Sequence, residues 1–223
     1  MALSIIPHAG INNSLPVCSS FWWGDPDMIV DDEDSFDWPH TADGTDLIFI
    51  GQINLADLPA GTPLPREGLL LFFADIDYFL GNFGADPCGG IGLWPEGACR
   101  VIYYPTEQFN NLARIQFLDD GQVCTPRARR FSLTPCDDTA YGPKLFGQPA
   151  CFEWDGWPHP CQGWQLLLQV DSEEEPDHTL RFYDDGLLYF IIHPDDLRQA
   201  RFDRVRAFLY TTEWPFVHFF TKI

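Results

Sequence analysis

Basic residues are scarce in this sequence. Only two lysines occur, and no Lys or Arg precedes Arg66. No run of eighteen apolar residues exists, which excludes a membrane-spanning helix read from hydropathy. The opening Met1-Ala-Leu-Ser-Ile-Ile-Pro-His8 lacks both a basic stretch and a long apolar one, so it does not read as a secretory signal, and a cytoplasmic location is expected. No Cys-x-x-Cys pair, Gly-x-Ser-x-Gly elbow or His-Glu-x-x-His motif occurs. The glycines of Gly89-Gly-Ile-Gly92 lack the lysine that a phosphate-binding loop needs. Seven cysteines, at 18, 88, 99, 124, 136, 151 and 161, are odd in number and irregular in spacing. They make a poor disulfide framework and read as small core residues or inert thiols of a reducing compartment.

What is abundant is negative charge and aromatic bulk. The formal net charge is −20, from 33 acids against 13 bases. The segment before Arg66 holds Asp25, Asp27, Asp31, Asp32, Glu33, Asp34, Asp37, Asp43, Asp46 and Asp57. Such a field repels nucleic acid and anionic lipid and attracts basic proteins or cations. Neither nucleic acid nor membrane is therefore an expected partner. Nineteen Phe and eight Trp exclude disorder and give a chain of 223 residues enough material for a sizeable core.

One pattern occurs twice. Leu47-Ile-Phe-Ile-Gly-Gln52-Ile-Asn54 is followed by Gly68-Leu-Leu-Leu-Phe72, and Trp164-Gln-Leu-Leu-Leu-Gln169-Val-Asp171 by Gly186-Leu-Leu-Tyr-Phe190. Gly24-Asp-Pro26 and Trp38-Pro39 precede the first copy, and Gly147-Gln-Pro149 and Trp157-Pro158 the second. Arg100–Tyr104 and Arg206–Tyr210 follow. Five landmarks in the same order imply two repeats, about 15–130 and 140–223, packed as one domain about a pseudo-twofold axis. Apolar runs bounded by Gly, Pro and Asp predict strands over 47–53, 68–74, 100–104, 113–118, 164–170, 179–183, 186–192, 205–211 and 216–221. The Asp-Asp-Gly turns at 119–121 and 184–186 predict hairpins, the second spanning Thr179–Phe190. Short helices are expected at Pro194-Asp-Asp196 and Asn54–Leu58. The expected class is α+β: strand-rich, with two duplicated half-domains, largely antiparallel sheets and a few short helices.

The pattern Gly-x-Pro, Trp-Pro, an apolar strand into Gln52-Ile-Asn-Leu55, then Leu64-Pro-x-x-Gly-Leu-Leu-x-Phe-Phe73 resembles the YwqG-like bacterial proteins, a domain of unknown function. Trp164-x-Leu-Leu-Leu-Gln-Val-Asp171, Asp185-Gly-x-Leu-Tyr-Phe190 and Asp195-Asp-Leu197 match the second half of that family. The likeness runs from about Phe21 to Tyr210. It implies a duplicated α+β fold, supplies no catalytic residues, and suggests an immunity role, since some members sit beside secreted toxins. Phe21-Trp-Trp-Gly24 replaces a glycine pair of the family pattern, and the acidic insert 31–37 belongs to this chain.

Candidate chemistry is sparse. Cys151, His159 and Cys161 lie close together without the spacing of a zinc site, and Asp31–Asp34 lacks the alternating ligands of a calcium loop. No metal, cofactor or catalytic residue is expected. Cys136 or Cys161 beside a histidine would be a thiolate nucleophile only if the fold brought them together. Gln52 and Gln169, ending buried strands, either pin backbone groups or, with Asn54 and Asp171, line a ligand site between the repeats. The acidic, aromatic stretch Trp22, Trp23, Asp25, Asp27, Asp31, Asp32, Glu33, Asp34, Phe36, Asp37 and Trp38 is the expected surface for a partner, with aromatics as anchors and acids for steering, unless its tryptophans belong to the core. The leading expectation is a non-enzymatic protein-binding module, an immunity protein that neutralises a basic toxin such as a nuclease. The alternative is an enzyme or small-ligand binder with its site between the repeats. Adaptation to high salt is a third reading of the charge.

Overall fold

Six consecutive apolar residues, Leu69–Ala74, form a strand with every side chain buried, and the molecule is layered around it. The structure is a computed structural model that describes residues 1–8, 15–31, 35–76, 90–116, 118–119, 122–123, 125–150, 155–176, 178–183 and 186–211. In chain order its strands are β1 Ala2–Pro7, β2 Phe21–Trp22, β3 Asp27–Ile29, β4 Ile48–Asn54, β5 Leu69–Ala74, β6 Gly92–Leu93, β7 Cys99–Tyr104, β8 Leu112–Arg114 and β9 Leu118–Asp119. There follow β10 Gln122–Val123, β11 Phe131–Cys136, β12 Lys144–Leu145, β13 Gln165–Asp171, β14 Glu173–Glu175, β15 His178–Leu180, β16 Leu187–Ile192 and β17 Arg206–Tyr210. All recorded strand pairs are antiparallel.

Two sheets carry the core. One has the order β2-β4-β5-β7 and the other β11-β1-β12-β13-β16-β17-β6. The strand period of two divides each central strand between two faces. Leu70, Phe72 and Ala74 of β5 join Leu188, Phe190 and Ile192 of β16 in one cluster between the sheets. Leu69, Leu71 and Phe73 point the other way, under Met28 of β3 and Leu112 of β8. Leu187, Tyr189 and Ile191 do the same on the far side, under Trp157 and Cys161. The continuous apolar runs of the sequence thus reflect strands covered on both faces. Phe72 and Phe190 meet edge to face, centroids 5.5 Å apart, at the contact between the sheets.

The class is mostly β rather than α+β. The described residues hold one α-helix, α1 Pro194–Arg198, and three 3₁₀ segments. The Asn54 side chain caps the 3₁₀ turn Leu55–Asp57 by accepting from the Ala56 N–H, and Pro59 lies just beyond it. The other strong departure concerns the expected hairpin over 179–190. Strand β15 folds back on β14, pairing Leu180 with Glu173. Both edges of β16 are already occupied, by β13 and β17, so the 178–180 segment has no ladder to join there. The run expected at 113–118 is divided, β8 ending at Arg114 and Leu118 opening the next hairpin. There Asp119 pairs with Gln122 and Leu118 with Val123. The strand expected at 216–221 lies outside the described residues. Strands β1, β2, β3, β6, β11, β12 and β14 were not foreseen; β1, β11, β12 and β6 extend the larger sheet and β2 borders β4 in the smaller one.

Candidate functional site

The two glutamines do the same local job. Gln52 is fully buried; its Oε1 accepts from the Asp27 N–H at 2.9 Å, and its Nε2 donates to the Ser19 carbonyl at 2.9 Å and to Asp27 Oδ2 at 2.6 Å. Gln169 is equally buried; its Oε1 accepts from the Ala150 N–H at 3.0 Å, and its Nε2 donates to the carbonyls of Gly142 at 2.7 Å and Ala140 at 3.3 Å. Each amide therefore clamps a turn that ends in Gly-x-Pro. The turns match in shape: Trp23-Gly24 has φ of 59° and 80°, and Phe146-Gly147 has 61° and 80°. A side chain at Gly24 would meet Ala128 Cβ at 2.6 Å, and one at Gly147 would meet the Asp138 carbonyl oxygen at 2.6 Å. Trp38 Nε1 donates to the Leu47 carbonyl and Trp157 Nε1 to that of Trp164, at 2.9 and 3.1 Å.

The four polar residues expected to line a ligand site are each bonded to protein groups. With donors and acceptor engaged by protein, neither glutamine presents a free amide edge. Asp171 Oδ2 accepts from the Gly142 N–H and its Oδ1 from the Ser172 N–H. Asn54 caps its turn and donates to the Cys18 carbonyl at 2.9 Å. Asn54 also borders a cavity, shared with Asp57 and Arg130.

The expected docking stretch is split by burial. Trp22 and Trp23 are core residues, 1% and 0% exposed, stacked edge to face. Trp23 Nε1 donates to Glu173, which also receives Arg129 Nη1 at 2.9 Å. Asp27 is buried too, because its charge is answered locally. Arg114 Nε donates to Oδ1 at 2.6 Å, and the Cys18 N–H to Oδ2 at 2.7 Å. The Arg114 guanidinium meanwhile lies 4.7 Å from the centroid of the Phe21 ring. Asp25 is half-buried and accepts from the Thr125 hydroxyl at 2.9 Å. A buried carboxylate needs such partners, and the sequence distance of 87 residues to Arg114 hides this one.

What stays on the surface is the loop from Asp31 to Asp46, of which Asp32, Glu33 and Asp34 lie outside the described residues. Asp31, Asp37, Asp43 and Asp46 are exposed. The loop is wired internally: Asp31 accepts from the N–H and hydroxyl of Ser35, and Thr41 donates to Asp43. That hydroxyl, with the Thr45 backbone, lowers the Asp43 carboxyl below its ordinary range. Phe36 is 44% exposed and stands edge-on to the half-buried Trp38, whose own ring meets Phe73 at 5.5 Å. Asp75 also feels this face. Burial first, and Asp43 second, push its carboxyl up to about 6. The sequence did not mark Asp75, whose environment is set by the end of β5 and by a distant loop.

A family model for a domain of unknown function, DUF1963, matches residues 23–210. The chain belongs to that family. A comparison with curated proteins gave no match. The matched span of this DUF1963 chain takes in both clamped turns and both central strands. Among the described residues no group of three or more His, Cys, Asp or Glu is placed to hold a metal ion. No helix among them is long and apolar enough to cross a membrane. The described cysteines, at 18, 99, 136 and 161, are free thiols. Burial pushes the thiols of Cys99, to about 12, and of Cys161 upward, which disfavours the thiolate.

Proposed function

We propose that this DUF1963 chain is a non-enzymatic, cytoplasmic protein-binding module that docks a basic partner on its 31–46 loop. The observation that carries the reading is the support beneath Phe36. An exposed ring, set edge-on against Trp38 and through it against Phe73, is held in place before any partner arrives, with exposed Asp31, Asp37, Asp43 and Asp46 on the same loop. Preorganised aromatics lower the entropic cost of association, and a ring of like charge steers an oppositely charged protein. The sequence likeness to the YwqG-like bacterial proteins supports a narrower form of the proposal: an immunity protein whose partner is a basic secreted toxin. A nuclease suits, because its groove is positive in order to hold phosphate.

The same proposal includes duplication of the scaffold, with the two halves related by a pseudo-twofold axis. It is supported by the matched glutamine clamps, the matched indole bonds, ladder irregularities at Phe49/Gly51 and Leu166/Leu168, and the Phe72–Phe190 contact between corresponding strands.

Capture from the protein's own cells tests the docking claim. Wild-type bait should retain a basic protein that is lost with Phe36→Ala and with the loop aspartates changed to Asn. Equal recovery by wild type and both variants, or recovery of acidic proteins alone, would refute it.

A further inference from the structure

A second opening lies apart from the aromatic loop. It is a cavity of about 570 Å³ between the edge strand β11 and the turn that follows β4. That volume falls in the range of small-molecule sites. Its walls are chemically divided. Phe109, Phe131 and Leu133 supply apolar surface, while Arg130 and His8 bring nitrogen donors and Asp57 brings a carboxylate. Among the described residues Arg130 makes no ion pair, in contrast to its neighbour Arg129, which is buried against Glu173 and Glu175. A cavity-lining arginine with no ion pair among the described residues is notable in a chain of net charge −20.

The acidic wall is preset. Ser20 donates its hydroxyl to Asp57 Oδ2 at 2.5 Å and accepts from the Asn54 N–H at 2.8 Å. Oδ1 of Asp57 accepts no bond among the described residues, so it is open to a donor from a ligand. The Cys18 thiol at the same cavity is pushed up by burial and by Asp27, and therefore adds no charge near neutral pH. One cation, one anion and aromatic walls in one cavity specify a ligand with both charges and an apolar body.

We propose that this cavity binds a small zwitterion of amino-acid to dipeptide size with an apolar side chain. Its carboxylate meets Arg130 and His8, its ammonium meets Asp57, and its side chain lies against Phe109 and Phe131. Paired charged contacts of this kind are worth more than neutral ones and fix orientation. The proposal is independent of the docking loop.

Calorimetric titration and thermal shift on the full chain test it. The probes are the twenty L-amino acids and a set of aliphatic dipeptides, beside isovalerate and isoamylamine, which each carry one charge. At least one apolar amino acid or dipeptide should bind at least about tenfold more tightly than either singly charged probe, since one charged hydrogen bond is worth about that factor. Arg130→Gln and Asp57→Asn, both at exposed positions, should each lose about tenfold or more while Tm without ligand stays unchanged. Asp37→Asn, on the docking loop, should bind as wild type does. The proposal is overturned if no zwitterion binds, if isovalerate or isoamylamine binds as tightly as the best zwitterion, or if both cavity variants retain wild-type affinity.

Discussion

Asp27 shows at single-residue scale how a charge that reads as surface becomes structure. Its carboxylate accepts from Arg114, Cys18 and Gln52 with no exposure to water. Breaking a buried pair strands its partner, which costs about 3 kcal/mol. Asp27→Ala should therefore lower the unfolding free energy in urea by about that amount, and Asp27→Asn by less. A variant as stable as wild type would return Asp27 to the docking surface. Asp75 makes the opposite case. Its folded carboxyl titrates near 6, above the ordinary value of 3.8. Between those values the folded state binds more protons than the unfolded one, so this group's contribution to stability falls as pH rises from about 4 to about 6. Asp75→Asn should raise Tm relative to wild type at pH 7.5, and that gain should vanish near pH 4. A gain that is the same at both pH values would contradict the assignment.

At the scale of elements, the sequence carried the central strands of both sheets and little of the turns' purpose. Leu69–Ala74 and Leu187–Ile192 were legible because strands covered on both faces need apolar residues at every position. Helix α1 was legible from Pro194 and its acids; the His193 side chain caps it as well. Strand β15 was misread because an Asp-Asp-Gly turn states that the chain reverses, not which ladder has a free edge. The choice of β14 depends on Glu173 and Glu175 meeting Arg129, a contact between distant segments. The clamped turns give the test at this scale. At Gly147, φ is +80° and an added Cβ would lie 2.6 Å from the Asp138 carbonyl oxygen. Backbone strain of this type costs about 1–3 kcal/mol, and about 2–4 °C of Tm accompanies each kcal/mol in a chain of this length. Gly147→Ala should lower Tm by several degrees, whereas Gly163→Ala, also at positive φ but with open space around it, should cost less. Equal losses would show that contact with Asp138 contributes nothing.

For the whole molecule, the repeated pattern in the sequence marked the strands β4, β5, β13 and β16 but not how their sheets stack, since nothing local says which face of β5 meets which face of β16. Phe72 and Phe190 answer that, and they couple the two sheets in one core cluster. Each change to Ala should cost about 3–5 kcal/mol. The double variant should lose less than the sum by about 0.5–1.5 kcal/mol, the worth of an aromatic pair, as read by urea unfolding; strict additivity would place the rings in separate cores. The candidate site was half legible for the same reason. Composition located the acids, but burial removed Trp22, Trp23 and Asp27 from them and left Phe36 among the loop carboxylates. The central claim is that this loop recruits a basic protein by long-range attraction. The most direct measurement is the association rate of the captured partner at rising ionic strength. The account predicts a rate that falls by about tenfold or more between low and high salt, and a shallower fall once the loop aspartates are changed to Asn. A rate indifferent to salt, or a slope unchanged by those substitutions, would contradict it.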